Sequence, residues 1–412
     1  MNIAAQKPRV LMIAYACDPQ GTGEHWLGWG WAEQAAQGFE VELITTPKAR
    51  AAVEQRCRAV GITPHFVEVP AAVRWGTELA GGSWLRKLAW QKRVAQVAAQ
   101  LHAQKKFSIV HQTTFHTFRV PFLAAGIGVP SVWGPIAGGE RVPPGFERYL
   151  GSARFSELGR NFVNRFWLQT PSVRTSLRRA SVLFVSNHTT LDFLPEDCRE
   201  KAKIVSPNAL RAEDEQYVRP AREAAVGKSA AFTLLYVGNC VATRAMPIVF
   251  EALGQSRLTD YELLVVGGGP ALEHWKQCAV KLGLGAKVRF EGKVPYARLN
   301  EYYTRADVLV FPALRDSGGS ALLEAMARQV PVICLDWGGP GEMVDGQSGI
   351  KVPVPSPEKT VGAFASALQR LGDDAALRET LARAGRARAE THFRWQAKRE
   401  LLEATYRRLL GQ

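Results

Sequence analysis

The chain has 412 residues, 46% of them hydrophobic, and its 52 Lys+Arg against 38 Asp+Glu give a formal net charge of +14. That length exceeds one ordinary core and calls for two domains of about 200 residues each. No apolar run reaches the roughly 18 residues that span a bilayer, and the N-terminus reads as a first strand rather than a secretory signal, so a cytoplasmic protein is expected.

The basic excess is uneven: residues 1–180 hold 22 Lys+Arg and 11 Asp+Glu. No nucleic-acid-binding motif accompanies it, so nucleic acid is not an expected partner. The six cysteines are scattered, with no CxxC pair and no histidines at zinc spacing. Reduced thiols and no metal site are expected.

In chain order, strands and helices alternate. Strands are expected at 9–16, 40–46, 65–69, 108–112, 130–133, 181–186 and 202–205. Helices are expected at 26–37, 49–60 and 86–104, with a helix or loop near 118–126. These make a first domain over 1–210. Within it, WLRKLAWQKRV (84–94) and RNFVNRFWLQ (160–169) mix tryptophan and phenylalanine with arginine and lysine. That is the composition of an interfacial helix resting on an anionic membrane, and equally of ordinary helices with basic outer faces.

Residues 211–230 are polar and read as a linker. The alternation then restarts over 231–390. Strands are expected at 232–237, 261–266, 288–290, 308–312 and 330–335, and helices at 247–254, 272–282, 296–305 and 321–328. Helices at 357–371 and 376–390 follow, with a terminal helix at 395–410. Residues 391–412 are expected to pack back on the first domain. The predicted class is α/β, with two doubly wound Rossmann-like domains whose ligands bind at the carboxyl ends of parallel strands.

The most informative segment is DSGGSALLEAMARQVPVICLDWGGPGEMV, Asp316 to Val344. A strand, a glycine turn and a helix N-terminus in that order form an anion site, because free backbone N–H groups and the helix dipole converge there. Asp316 and Glu324 flank the turn eight positions apart. That arrangement suits a ligand with a diphosphate in its middle and sugars at both ends. GGGP at 267–270 reads as a loop lining the nucleotide side, with Gly268 at its centre; it lacks the spacing of a dinucleotide fingerprint.

With these features the chain resembles the retaining glycosyltransferases of family 4, which have the GT-B fold, two Rossmann-like domains facing a cleft. The resemblance runs along nearly the whole chain. It is carried by YYTRADVLVFPALRDSGGSALLEAMARQVPVICLDWGGPGEMV, by the glycine-bearing first loop in ACDPQGTGEHWLGWGWAEQAA, and by the turn SPNAL. HQTTFHTFRVP and WGPIAGGERVPP are similar to acceptor-side loops of a polysaccharide-making subgroup.

The resemblance implies roles position by position. Glu324 would bind the ribose hydroxyls and Asp316 the donor sugar. The amides of Gly318, Gly319 and Ser320 would meet the sugar and diphosphate, and Gly21 and Gly23 would let the first loop approach the phosphates. His111 would contact the donor sugar and the reacting centre. His116 and Glu140 fall on the acceptor side. Asn239 stands where the family usually has Arg, and Arg244 where it usually has Lys, so one positive charge on the leaving diphosphate is gone. Asp316 replaces the usual Glu and is one methylene shorter.

The implied activity is retaining transfer from a nucleotide diphosphate sugar, with no cofactor and no metal. UDP is the commonest base carrier among relatives and GDP the next. The acceptor is a saccharide or lipid-linked saccharide, with the protein peripheral on the inner face of the plasma membrane. A nucleotide-sugar epimerase of the same fold, and a catalytically degenerate partner protein, are the alternatives.

Overall fold

The computed structural model of the protein describes residues 7–69, 83–217 and 231–412. They form two compact units.

The first unit holds the chain up to Gly139, Asn161–Pro207 and Trp395–Gln412. Its strands are β1 (Arg9–Ala14), β2 (Glu40–Thr45), β3 (Thr63–Phe66), β4 (Ile109–Thr114), β5 (Ser131–Ile136), β6 (Val182–Val185) and β7 (Ala202–Ile204). They form one parallel sheet in the order β3-β2-β1-β4-β5-β6-β7. Runs such as RVLMIA and VLFV are apolar on both faces because helices cover both sides of a parallel sheet.

The helix Trp395–Leu409 closes one of those sides. Trp395 sets its ring edge-on to Trp26 and Trp31, with centroids 5.4 and 5.9 Å away, and Leu402 and Tyr406 are fully buried.

The second unit holds Glu140–Arg160 and Asn208–Arg394. Its strands are β8 (Phe232–Val237), β9 (Tyr261–Val266), β10 (Val288–Gly292), β11 (Val308–Phe311), β12 (Val332–Leu335) and β13 (Ile350–Val352). The sheet order is β10-β9-β8-β11-β12-β13, again parallel. The chain runs outward from β8 through β10 and then returns to β11 on the other side of β8. That reversal opens a crevice at the carboxyl ends of β8 and β11, where ligands of doubly wound sheets bind.

Three details differ from the sequence reading. Strand β13 was not anticipated; it is three residues long and lies at a sheet edge, where patterning is weakest. Residues 118–126 hold only a short 3-10 turn, Leu123–Gly126. The start of the expected linker is structured. Ala212–Glu215 form a helical turn, and Asp214 is buried against Arg328 at 2.7 Å. Residues 218–230 of that linker lie outside the described residues. Among the described residues no helix is long and apolar enough to cross a membrane.

Candidate functional site

The crevice of the second unit is a cavity of about 530 Å³. Its walls come from four strand ends: Gly238 and Asn239 after β8, Gly267 and Gly268 after β9, Lys293 and Val294 after β10, and Asp316 to Ala321 after β11. Glu324, Tyr296, Arg244 and Asn208 complete it. Of the residues singled out by sequence, the structure therefore brings together Asn239, Arg244, Gly268, Asp316, Gly318, Gly319, Ser320 and Glu324.

The loop after β11 is held by its own acid. Asp316 Oδ1 accepts from the backbone N–H groups of Gly318 (2.9 Å) and Gly319 (3.0 Å). Asp316 Oδ2 is paired with the Arg244 guanidinium. Two of the amides expected to meet a donor are thus engaged by Asp316 itself. Gly319 has φ +68°, in the left-handed region that glycine tolerates, and it caps the helix Ser320–Ala327. A helix leaves its first N–H groups without intrahelical partners. Here those belong to Ser320 and Ala321, and both residues line the cavity.

Arg244 lies over the Phe311 ring at 4.9 Å, so a ring face and a carboxylate together fix its direction. Burial presses its pKa below the ordinary arginine value without discharging it. A second cation enters from β10. The Lys293 stem crosses Gly268 so closely that a Cβ there would sit 3.0 Å from Lys293 Cγ. Lys293 is exposed, and its ammonium has no ion pair among the described residues.

Glu324 sits between two phenols. Tyr303 donates to its Oε2 at 2.9 Å and Tyr296 to its Oε1 at 3.4 Å. Burial pushes its pKa up to about 7, against the pull of the Tyr303 hydrogen bond. Behind it, Arg328 donates to the Glu324 carbonyl at 3.1 Å and to Asn300 Oδ1 at 2.7 Å, pairs with Asp214, and lies over the Tyr303 ring. This set locks the helix that carries Glu324.

Tyr296 and Tyr303 went unnoticed in the sequence because their partner lies 28 and 21 positions away, Lys293 because Gly268 lies on another strand end, and Arg328 because Asp214 lies far upstream. Asn208 did carry a signal, the SPNAL turn; it accepts from the Ser320 hydroxyl at 3.3 Å.

The remaining expected residues lie elsewhere. His111, on β4, is fully buried in the core of the first unit. Its Nε2–H donates to the Gly134 carbonyl at 2.9 Å, which makes Nδ1 the acceptor for the Tyr406 hydroxyl at 2.6 Å. Burial lowers its pKa to about 4. Both ring nitrogens are engaged, so the expected contact with a donor sugar has no free atom to make it.

His116 differs. Its backbone N–H donates to Glu24 Oε1 at 2.8 Å, but its Nε2 is buried with no partner among the described residues. Burial also lowers its pKa. Gly23 precedes the helix Glu24–Gly38, and Gly21 N–H bonds the Asp18 carbonyl at 3.1 Å. Glu140 is 5% exposed in the second unit, and its carbonyl accepts from Arg160. Arg160 in turn pairs with Glu157, which also holds Arg315, the neighbour of Asp316. Glu140 does not line this cavity. Among the described residues no cluster of three metal-ligating side chains occurs.

Residues 220–388 match the family model of glycosyl transferases group 1, and residues 25–208 that of the glycosyl transferase 4-like domain. A D-inositol 3-phosphate glycosyltransferase of Thermomonospora curvata is 31% identical over 188 residues, 43% of this chain and 42% of that protein. A GDP-mannose-dependent alpha-(1-6)-phosphatidylinositol monomannoside mannosyltransferase of Mycolicibacterium smegmatis is 28% identical over 62% of this chain and 68% of its own length. The chain spans about half the length of the first curated relatives it matches. The crystal structure of Anabaena HepE in complex with UDP and glucose aligns over 97% of this chain and 99% of that one, with a TM-score of 0.60 at 14% identity. The two parallel-sheet units are those of the GT-B fold. From the two adjoining family matches, the chain belongs to the group 1, GT4-like glycosyltransferases.

Proposed function

We propose that the protein transfers a sugar, with retention of anomeric configuration, from a nucleotide diphosphate sugar to a saccharide or lipid-linked saccharide. The single observation that carries this is the cavity in which Glu324, Arg244, Lys293 and the Ser320–Ala321 helix start converge. A ribose would place its hydroxyls on the Glu324 carboxylate. The diphosphate would lie over the first helical N–H groups, between Arg244 and Lys293. Asp316, held by the loop amides, would orient Arg244 and offer its remaining acceptor capacity to donor-sugar hydroxyls.

Charge grows on the leaving phosphate as the anomeric bond breaks, and preorganised cations and N–H dipoles stabilise it. The acceptor oxygen forms the new bond on the same face. Its proton passes to the departing phosphate oxygen, so neither a protein nucleophile nor a metal is invoked. Lys293 supplies the positive charge that Asn239 does not, which favours an enzyme over a degenerate partner. His116, whose buried Nε2 has no partner among the described residues, stays the histidine of interest on the acceptor side.

UDP is the first candidate carrier and GDP the second. The HepE complex with UDP and glucose supports the one, and the GDP-mannose-dependent relative the other. That relative's lipid substrate also supports a lipid-linked acceptor.

The test is calorimetric titration of the protein with UDP, GDP and ADP, with Glu324→Ala as control. Binding of one nucleotide that the variant loses supports the donor site and selects the sugars to assay for transfer. No binding of any would overturn the proposal.

A further inference from the structure

The segment Glu140–Arg160 stands in sequence between two stretches of the first unit, yet it belongs to the second. Its anchors explain why. Phe146 is fully buried and Tyr149 nearly so, in the second unit's core with Tyr236 and Phe250. The Tyr149 hydroxyl donates to Glu251 at 3.0 Å, and Trp337 donates its indole N–H to the Arg141 carbonyl at 2.7 Å. Two buried rings with satisfied polar ends hold such an arm in place.

The arm backs both members of the Arg244–Asp316 pair. Its turn Glu147–Leu150 packs on the turn Ala242–Arg244. Its Glu157, 7% exposed, takes Arg315, the residue before Asp316. Arg315 Nη2 donates to Glu157 Oε1 at 3.0 Å, and its Nε lies 2.9 Å from Oε2, a two-point grip that fixes the guanidinium plane. Arg160, three residues on, donates to the same carboxylate at 3.1 Å.

Charge gives that grip a purpose. Arg244 is tied to Asp316 Oδ2. Burial lowers the Arg244 pKa, Tyr236 opposes this, and the Arg315 charge lowers it further, so the two guanidinium groups are within electrostatic reach. Arg315 is thus a rival for Asp316, held off by an acid of its own. Without Glu157, the adjoining Asp316 carboxylate is the charge for Arg315 to turn to, since an unpaired, partly buried charge is costly.

We infer that Glu157 is a positioning residue for the donor site: by holding Arg315 it reserves Asp316 for Arg244 and keeps Arg244 aimed at the diphosphate. The inference rests on the proposed donor site for the diphosphate; the arrangement of the three side chains is independent of any nucleotide.

The test joins a ligand-free crystal structure of the full chain carrying Glu157→Gln to calorimetric titrations with UDP and uridine. The titrations compare the parent, Glu157→Gln, Arg315→Met and the double variant. In the Glu157→Gln crystal, Arg315 should lie on Asp316 and Arg244 should have left it. Glu157→Gln should bind UDP about tenfold more weakly, with uridine unaffected. Arg315→Met should bind UDP as the parent does. Adding it to Glu157→Gln should restore UDP affinity to within about threefold of the parent, even where melting temperature stays low. A role in packing alone would leave the double variant at least as weak as Glu157→Gln. That result, or an unmoved Arg244–Asp316 pair in the variant crystal, would overturn the inference. A displaced pair in a chain whose parent binds no nucleotide upholds the hold of Glu157 on the pair and removes the donor-site reading instead.

Discussion

The two units share a strand order but treat their polar groups in opposite ways. In the first, β4 ends in His111, Gln112, Thr113 and Thr114, all fully buried. Each has a partner within that unit: His111 with Tyr406 and Gly134, Gln112 with Gln91, Thr113 with Ile13, Thr114 with Ala16. In the second, the strand ends leave Lys293 and Asn239 exposed and hold Glu324 at a cavity wall. Burial pushes His111 and Glu324 alike toward their neutral forms. The histidine ends near 4, outside the working range, and the glutamate near 7, inside it. A histidine on a strand end therefore marks a site only when its ring nitrogens are not already used by the fold, as those of His111 are.

The sharpest way to break this contrast is His111→Leu. It takes the His111 donor from the buried Gly134 carbonyl and leaves the Tyr406 hydroxyl only the Met12 sulfur at 3.4 Å, so stability should fall by about 3 kcal/mol in denaturant titration. UDP affinity of the folded protein should not change; a selective loss of affinity would return His111 to the donor site. Next, Glu324→Ala should lower UDP affinity about 30-fold by calorimetry, the loss of a charged hydrogen-bond acceptor worth about 2 kcal/mol.

The glutamate also gives a pH signature. Its ionised form accepts from ribose hydroxyls and exists above its raised pKa, so affinity should rise by about tenfold at most between pH 6 and 8. Glu324→Gln should remove that part of the dependence, leaving only the titration of the nucleotide phosphate. The smallest effect is expected of Lys293→Ala, about fivefold weaker binding of UDP with uridine unaffected. Equal weakening of both would move Lys293 from the phosphates to the nucleoside.

Most of the strands were legible in the sequence because parallel strands buried on both faces are runs of apolar residues, as RVLMIA, VLVF and VICL show. The cavity's glycine turn and its acids were legible because a loop and a helix start lie within nine residues of each other. The engagement of His111 by the fold was not legible because its Tyr406 partner lies 295 positions away. Lys293 was missed because nothing near it in the chain hints that its stem will lie across Gly268. The helix Ala153–Gln169 was half visible. Its composition showed in RNFVNRFWLQ, but not which side would turn inward, since that depends on Glu157 and Asn164 finding distant partners.

Tyr406 and Trp395 have a further consequence, for the order in which the molecule can be made. The first unit's core includes side chains translated after the whole second unit. A ribosome that has reached Arg394 has exported the chain of every strand, yet His111 still lacks its phenol and Trp31 its indole neighbour. The unit that begins the chain is thus completed after the one that follows it, whereas domains generally fold in order of synthesis. Until then, the second unit's fold is the only one whose residues are all present.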